Sequence, residues 1–147
     1  QVATVIVSDP VLNKRIQEAF LVNEIASISP FAITGLIAAY QQGEEWLQQA
    51  LAYIHSNYIY LNNYVAEYLP ALKIVSLEGT YLVWLDCKGL GLSEQELEEL
   101  IVNKAKLWLD GGTMFGKDGE NFQRVNIACP RAILEKAFQQ LAQALEQ

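Results

Sequence analysis

The stretch that decides the fold is a glycine-rich loop followed by an apolar strand. It reads Gly111-Gly112-Thr113-Met114-Phe115-Gly116 and then, after a short polar connection, Phe122-Gln123-Arg124-Val125-Asn126-Ile127-Ala128-Cys129-Pro130-Arg131. Pro130 has the fixed backbone angle that favours the start of a helix, so the strand should lead directly into a closing helix. Arg124 stands among the apolar residues of the strand, and we therefore expect its side chain to be held by a sheet.

Arg124 is the candidate functional residue of this stretch. A guanidinium group is permanently charged, and its planar fork of donors matches a carboxylate or a phosphate. An arginine fixed on a strand therefore suggests a receptor for a small anion. The residues alone leave a second interpretation open, in which Arg124 is a strand-end arginine paired with an acid nearby.

The segments around this stretch predict a small α+β unit. Strands are predicted over residues 72–77 and 80–86, and Gly79 between them should supply backbone angles that other residues resist. A further short strand is predicted over residues 106–109. The apolar face of so small a sheet has to pack against other elements, and we expect two predicted helices to pack against it.

The first of these helices spans residues 94–104. It begins with a capping box, in which Ser93 and Glu96 satisfy each other's free backbone donors. The closing helix, residues 130–146, carries its apolar side chains at helical spacing: Leu134, Phe138, Leu141 and Leu145.

The N-terminal part of the sequence predicts a different kind of structure, with one strand and several helices. Residues 2–7 form a β-branched apolar run, which is typical of a strand buried on both faces of a parallel sheet. Helices are predicted over residues 10–20 and 30–43. The longest predicted helix, residues 44–69, would extend about 39 Å, enough to connect two domains. The predicted organisation is therefore a residual strand with helices (1–43), an inter-domain helix (44–70) and an α+β small domain (71–147).

Composition excludes several function classes. The chain has 147 residues, a net charge of -7 and 18% charged residues. This charge argues against broad binding to nucleic acid or to an anionic membrane. The chain has two cysteines, Cys87 and Cys129, without a C-x-x-C partner or a nearby histidine. We therefore expect reduced thiols in a cytoplasmic protein, and we predict no metal site.

Three motifs resemble one known family. The loop G-T-M-F-G, the run R-x-N-x-A-C-P-R that begins at Arg124, and the upstream run Gly79-Thr80-Tyr81-Leu82-Val83-Trp84-Leu85-Asp86 are similar to the C-terminal part of pyridoxal-phosphate (PLP) enzymes of fold type I. Within this aminotransferase class I/II superfamily, the resemblance is to the cystathionine β-lyase-like C–S lyases. It covers essentially the whole chain. Because family members are longer, it implies that the chain is a C-terminal fragment.

The resemblance also implies roles for individual residues. Arg124 falls on the position that binds the α-carboxylate of the amino-acid substrate. The loop Thr113, Met114, Phe115 and Gly116 would lie at the substrate entrance. The lysine that binds PLP would lie upstream, so no catalytic residue is expected in the fragment, and Lys14 is not assigned that role.

The implied activity belongs to a full-length parent. That parent would be a homodimeric PLP enzyme of amino-acid metabolism, acting on a substrate such as cystathionine or cysteine, with a large PLP domain as the missing partner. It would release a thiol, pyruvate and ammonia, and the fragment alone would be inactive. Two alternatives stay open: a fragment of a class I/II aminotransferase, and a non-enzymatic interaction module on the same fold.

Overall fold

The computed structural model describes residues 2–25 and 28–146, and within those ranges it is α+β as predicted. A small antiparallel sheet of four strands is combined with five α-helices. The elements are α1 (Pro10–Val22), α2 (Pro30–Gln42), α3 (Glu44–Tyr68), β1 (Lys73–Ile74), β2 (Leu82–Asp86), α4 (Glu94–Glu98, continued by a π-helix over Glu99–Lys104), β3 (Asp110–Gly111), β4 (Phe122–Asn126) and α5 (Arg131–Leu145).

The chain divides into two compact units, Gln1–Gln49 and Ala50–Gln147. In the first unit, α1 begins as predicted, because the Asp9 carboxylate accepts hydrogen bonds from the backbone N–H groups of Val11 and Leu12 at 2.7 and 3.2 Å. Pro10 occupies the first helical turn. Neither α1 nor α2 contains a buried residue. The apolar side chains of these helices therefore lack a core within the described part of the unit.

The strand predicted over residues 2–7 does not form. Residues 2–9 have no regular secondary structure, and Val5 and Ile6 are 56% and 90% exposed. A strand needs a neighbouring strand to receive its hydrogen bonds, and no segment among the described residues pairs with this one. The apolar run is thus a strand-forming sequence without a strand partner.

The second unit is built around the sheet, whose strand order is β1-β2-β4-β3 with every neighbouring pair antiparallel. Successive side chains alternate between the two faces of a strand. One face is buried and carries Val83, Leu85 and Val125, while the other is only half buried. The buried face joins the core, whose helical members are Leu61, Val65, Leu97, Leu100, Ile101, Leu134, Phe138 and Leu141.

The helix that starts at Glu94 has the predicted capping box, since Ser93 Oγ accepts from the backbone of Glu96 and the Glu96 carboxylate accepts from the backbone of Ser93. The prediction of a strand just after this helix, over residues 106–109, is wrong. Lys106 adopts a left-handed conformation (φ 57°), and the N–H of Leu107 turns back to the Ile101 carbonyl at 2.9 Å. These residues terminate the helix, and the strand begins only after them, as β3 at Asp110.

The turn between the first two strands also differs from the prediction. Thr80, not Gly79, occupies the left-handed region, with φ 66°. This conformation is costly for a β-branched residue, because Cβ crowds the backbone. Thr80 Oγ1 accepts a hydrogen bond from the N–H of Leu82 at 3.0 Å, which helps to hold the turn. Among the described residues, no helix has the length and apolar character that crossing a bilayer requires.

Candidate functional site

Arg124 lies at the centre of the half-buried face of the sheet. It occupies the middle of β4, directly opposite Trp84 on β2 and Asp110 on β3. Its side chain is 26% exposed. As predicted, the sheet therefore fixes the backbone that carries this guanidinium group.

The guanidinium group is paired with Asp110. The Asp110 oxygen Oδ2 accepts hydrogen bonds from Nη2 at 2.6 Å and from Nε at 3.1 Å. One oxygen atom of Asp110 thus binds the side edge of the guanidinium group, which is formed by Nε and Nη2. Among the described residues, no hydrogen bond from Nη1 is found. Arg124 is therefore paired with a nearby acid, as one interpretation of the sequence expected. The second edge of its guanidinium group is still available to an anion, as the other interpretation requires.

The predicted entrance loop reaches Arg124 through one residue. The ring of Phe115 lies under the guanidinium group, with 4.4 Å from Cζ to the ring centroid. Trp84 packs edge-on against the same ring, with 5.2 Å between centroids. Such cation–aromatic contacts add attraction and restrict rotation of the charged group. Thr113 and Met114 line a cavity of about 440 Å³ to which Arg124 does not contribute.

Glycines shape the entrance loop by close approach of the backbone. A Cβ atom on Gly112 would stand 2.0 Å from the Gly119 carbonyl oxygen, and one on Gly119 would stand 2.1 Å from that of Gly112. Gly116 has φ 126°, which other residues rarely adopt. The loop can therefore fold back beside β4 and present Phe115 only because these positions have no side chain.

A cleft of about 300 Å³ opens beside Arg124. It is lined by Arg124 and Trp84 on the sheet, by Leu82, and by residues 75–80. The sequence predicted strands over residues 72–77 and 80–86 joined around Glu78 and Gly79, and it did not identify these residues as part of the site. No local signal indicated this, because the placement depends on the pairing of β2 with β4, which brings the connection next to Arg124.

A second arginine of the motif, Arg131, is bound to neutral groups of α3. Its Nε donates to Asn57 Oδ1 at 2.8 Å, its Nη2 donates to Ser56 Oγ at 3.2 Å, and its guanidinium group lies 4.5 Å from the centre of the Tyr60 ring. Tyr60 and Tyr64 of α3 therefore pack against α5, where the Tyr64 ring meets Phe138 edge-on.

Asn57 connects this motif to the long helix. It is fully buried, and its Nδ2 donates to the backbone carbonyls of Ile127 and Cys129 at 2.8 and 2.9 Å. The sequence-based analysis missed it. The signal was an amide within the apolar stripe of a helix, between Ile54 and Leu61, where a polar residue has to find partners.

Both cysteines are free thiols. Burial, followed by the charges of Asp86 and Glu94, raises the pKa of the Cys87 thiol to about 12. Burial also raises the pKa of Cys129 above its ordinary value. A thiol needs a lowered pKa to act as a nucleophile at neutral pH, so these cysteines have packing roles.

The chain matches no protein-family model. It is 31% identical over 145 residues to cystathionine β-lyase PatB of Bacillus subtilis, an alignment that covers 99% of this chain and 38% of that protein. Among solved structures, a PLP-bound putative aminotransferase of Clostridium difficile has a TM-score of 0.90 and 38% identity, over 95% of this chain and 36% of that one. Cystalysin of Treponema denticola, which contains PLP, has a TM-score of 0.84 and 28% identity, over 96% and 36% of the two chains.

The chain thus spans little more than a third of the length of these relatives. The part it matches is their C-terminal part, and its α+β fold is that of the C-terminal domain of fold-type I PLP enzymes. The family resemblance of the three sequence motifs is therefore confirmed.

Proposed function

Because the chain is a homologue of the C-terminal part of cystathionine β-lyases and related aminotransferase-fold PLP enzymes, we propose that it is the substrate-binding part of a PLP-dependent C–S β-lyase. In this proposal Arg124 binds the α-carboxylate of an amino acid such as cystathionine or cysteine. PLP is held by the large domain, which corresponds to the part of the relatives that the chain does not match. When bound, PLP supplies an electron sink for bond cleavage at the substrate.

The observation that carries the proposal is the state of the Arg124 fork. Asp110 takes only the side edge, through one oxygen atom, and the group also lines a cleft. The end edge, formed by Nη1 and Nη2, is the edge that binds a carboxylate through two parallel hydrogen bonds. Asp110 and a substrate carboxylate can therefore bind the same guanidinium group side by side.

The neighbours of Arg124 hold its guanidinium group in one orientation. Asp110 fixes the guanidinium plane from one side, and the Phe115 ring supports one of its faces. A carboxylate bound to a fixed fork has a defined direction, which in turn defines where Cα and its bonds point. Orientation of this kind lowers the entropy cost of reaching the transition state.

Neither Lys14 nor Lys88 fits covalent attachment of PLP. Lys14 lies on α1 with 80% of its side chain exposed, next to Glu18 at 4.0 Å. Lys88 lies with Nζ 4.5 Å from the centre of the Phe122 ring. Among the described residues, no lysine lines the cleft that contains Arg124. We therefore expect the chain alone to be inactive.

A trapping experiment tests this expectation. The chain is mixed with PLP, reduced with borohydride and analysed by mass spectrometry, and the urea-unfolded chain serves as the control because PLP reacts with any exposed lysine. We expect the folded chain to trap no more PLP than the unfolded one. Selective labelling of one lysine in the folded state would contradict the assignment of PLP to the missing domain.

An activity assay tests the reaction itself. A protein that joins this chain to its PLP domain is supplied with cystathionine, and free thiol, pyruvate and ammonia are measured. The lyase proposal predicts all three. The alternative is an aminotransferase, which is favoured by the similarity to the putative aminotransferase of Clostridium difficile and predicts amino transfer to a keto acid without thiol. If neither reaction were observed, the remaining interpretation would be a non-enzymatic interaction module on the same fold.

The proposal also includes a homodimeric parent and a cytoplasmic location. The two free thiols support the cytoplasmic location.

A further inference from the structure

We infer that Glu78 selects the substrate by the net charge of its far end, favouring a far end that is neutral, zwitterionic as in cystathionine, or positively charged over one that carries a lone carboxylate. This inference rests on the proposed function, since it places the substrate carboxylate on Arg124. Glu78 is not part of the motifs around Arg124, and it enters the site through the fold of the chain.

The cleft beside Arg124 contains one charge of each sign. Of the residues that line it, Arg124 is the cation and Glu78 is the anion. The others are apolar or neutral: Val75, Ser76, Leu77, Gly79, Thr80, Leu82 and Trp84. At about 300 Å³, the cleft has the size of a site for a small molecule, and a substrate held by Arg124 would extend along this wall.

The backbone that carries Glu78 is fixed on both sides. The N–H of Leu77 donates to the Tyr58 hydroxyl on α3 at 3.2 Å, and the N–H of Val75 donates to the Trp84 carbonyl at 2.9 Å. On the other side, the turn is held by the Thr80 hydroxyl. Glu78 itself is exposed and forms no salt bridge within the described residues. Its charge is thus available to a ligand.

Two further cations of this unit, Arg131 and Lys88, do not line the cleft. Arg131 is held by Asn57 and Ser56, and Lys88 lies over Phe122. A substrate whose far end is a lone carboxylate would need a second cation in addition to Arg124, and here that carboxylate would meet the carboxylate of Glu78. A distal ammonium group would meet an opposite charge at the same place, so the two classes of substrate are separated by electrostatics alone.

The test uses the full 147-residue chain and three probes with the same five-carbon length. These are 5-aminopentanoate, pentanoate and glutarate, which differ only in the group at the far end. Binding is followed by NMR through the Arg124 Nε–H signal. At low salt, we expect 5-aminopentanoate to bind about threefold more tightly than glutarate, with pentanoate between them, because exposed charges interact weakly in water. At about 0.5 M NaCl the preference should be lost.

Variants assign the preference to one residue. Glu78→Gln should abolish it, and Glu78→Lys should reverse it. Glu98→Gln removes the same charge from a different cavity and should leave the preference unchanged. An unchanged preference in Glu78→Gln and Glu78→Lys would overturn the inference.

A separate variant distinguishes this failure from a failure of the proposed function. Arg124→Gln should lose the binding of all three probes, and Arg124→Lys, which keeps the charge without the fork, should bind them weakly; both are followed through shifts of the backbone amide signals of residues 76–80. If the probes bound Arg124→Gln as tightly as the parent chain, the carboxylate assignment to Arg124 would be wrong, whatever Glu78 does.

Discussion

Arg124 and Asp110 stand opposite each other on neighbouring antiparallel strands, and their side chains form an ion pair with 2.6 Å between Nη2 and Oδ2. Both side chains are partly exposed, at 26% and 42%. An ion pair in this environment is weakened by solvent, so its main effect is on the direction of the guanidinium group and not on stability.

The first prediction concerns the strength of this pair. In a double-mutant cycle with Arg124→Gln and Asp110→Asn, we expect a coupling free energy of about 0.2–1 kcal/mol, measured by urea unfolding. The pair Lys14–Glu18, at 4.0 Å and with both side chains largely exposed, is the matched control and should show coupling near zero. A coupling several times larger than this range would identify Arg124 as a structural residue and argue against a substrate role.

The second prediction concerns activity in the protein that joins this chain to its PLP domain. Arg124→Ala should reduce kcat/KM by about 2–5 kcal/mol of transition-state stabilisation, which is roughly 30-fold to several thousandfold, because a substrate carboxylate loses its charged partner. Arg124→Lys should recover only part of the loss, since an ammonium group lacks the fork.

Lys88 provides the control for this experiment, because it is another cation held over a phenylalanine ring but does not line the Arg124 cleft. Lys88→Ala should leave kcat/KM within about threefold of the parent. If Arg124→Ala behaved in the same way, the carboxylate-binding role would have to be abandoned.

The site was predictable from the sequence where chemistry is carried by a single residue. Arg124 could be placed on a strand because its neighbours are apolar, and the α+β class followed from the alternation of short strands with capped helices. The capping box at Ser93 was equally readable, since it depends only on residues three apart.

Contacts between distant segments could not be predicted in the same way. Asp110 lies just after the strand that was predicted over residues 106–109, and its pairing with Arg124 depends on the register of β3 against β4, which is set by where the preceding helix ends. Lys106 adopts a left-handed conformation and shifts that end, which no local pattern indicated. The left-handed Thr80, where Gly79 was expected, is a similar case, because a contact held by the wider fold prevails over local preference.

The third prediction concerns the buried amide of Asn57. Asn57→Ala should lower the free energy of unfolding by about 2–4 kcal/mol, because it leaves the Ile127 and Cys129 carbonyls and the Arg131 guanidinium group without their partner. Asn62, on the same helix, donates one hydrogen bond to the Tyr58 carbonyl and is only half buried. The control Asn62→Ala should therefore cost about 1 kcal/mol or less, also measured by urea unfolding. Equal effects of the two substitutions would show that Asn57 does not anchor the motif.

The fourth prediction concerns stability at high pH. The pKa of Cys87 is raised from 9.0 to about 12 in the folded chain, mainly by burial. Above the unfolded pKa, the unfolded chain loses the Cys87 proton while the folded chain keeps it, so ionisation favours unfolding. The contribution of Cys87 to stability is therefore fully present below the unfolded pKa and is lost as the pH rises towards the folded pKa. Between these two values the loss should approach about 1.4 kcal/mol per pH unit.

Lysines and tyrosines titrate in the same range, so the effect of Cys87 has to be isolated by difference. The free energy of unfolding is measured against pH for the parent chain and for Cys87→Ala. Between the unfolded and the folded pKa, the gap between the two curves should change by up to about 1.4 kcal/mol for each pH unit. Cys129→Ala is the matched control, because Cys129 is less buried and its pKa is raised less strongly, so its curve should remain closer to parallel with that of the parent. Parallel curves for the parent and Cys87→Ala would mean that this thiol ionises equally in both states, which is incompatible with its burial in the core of the sheet.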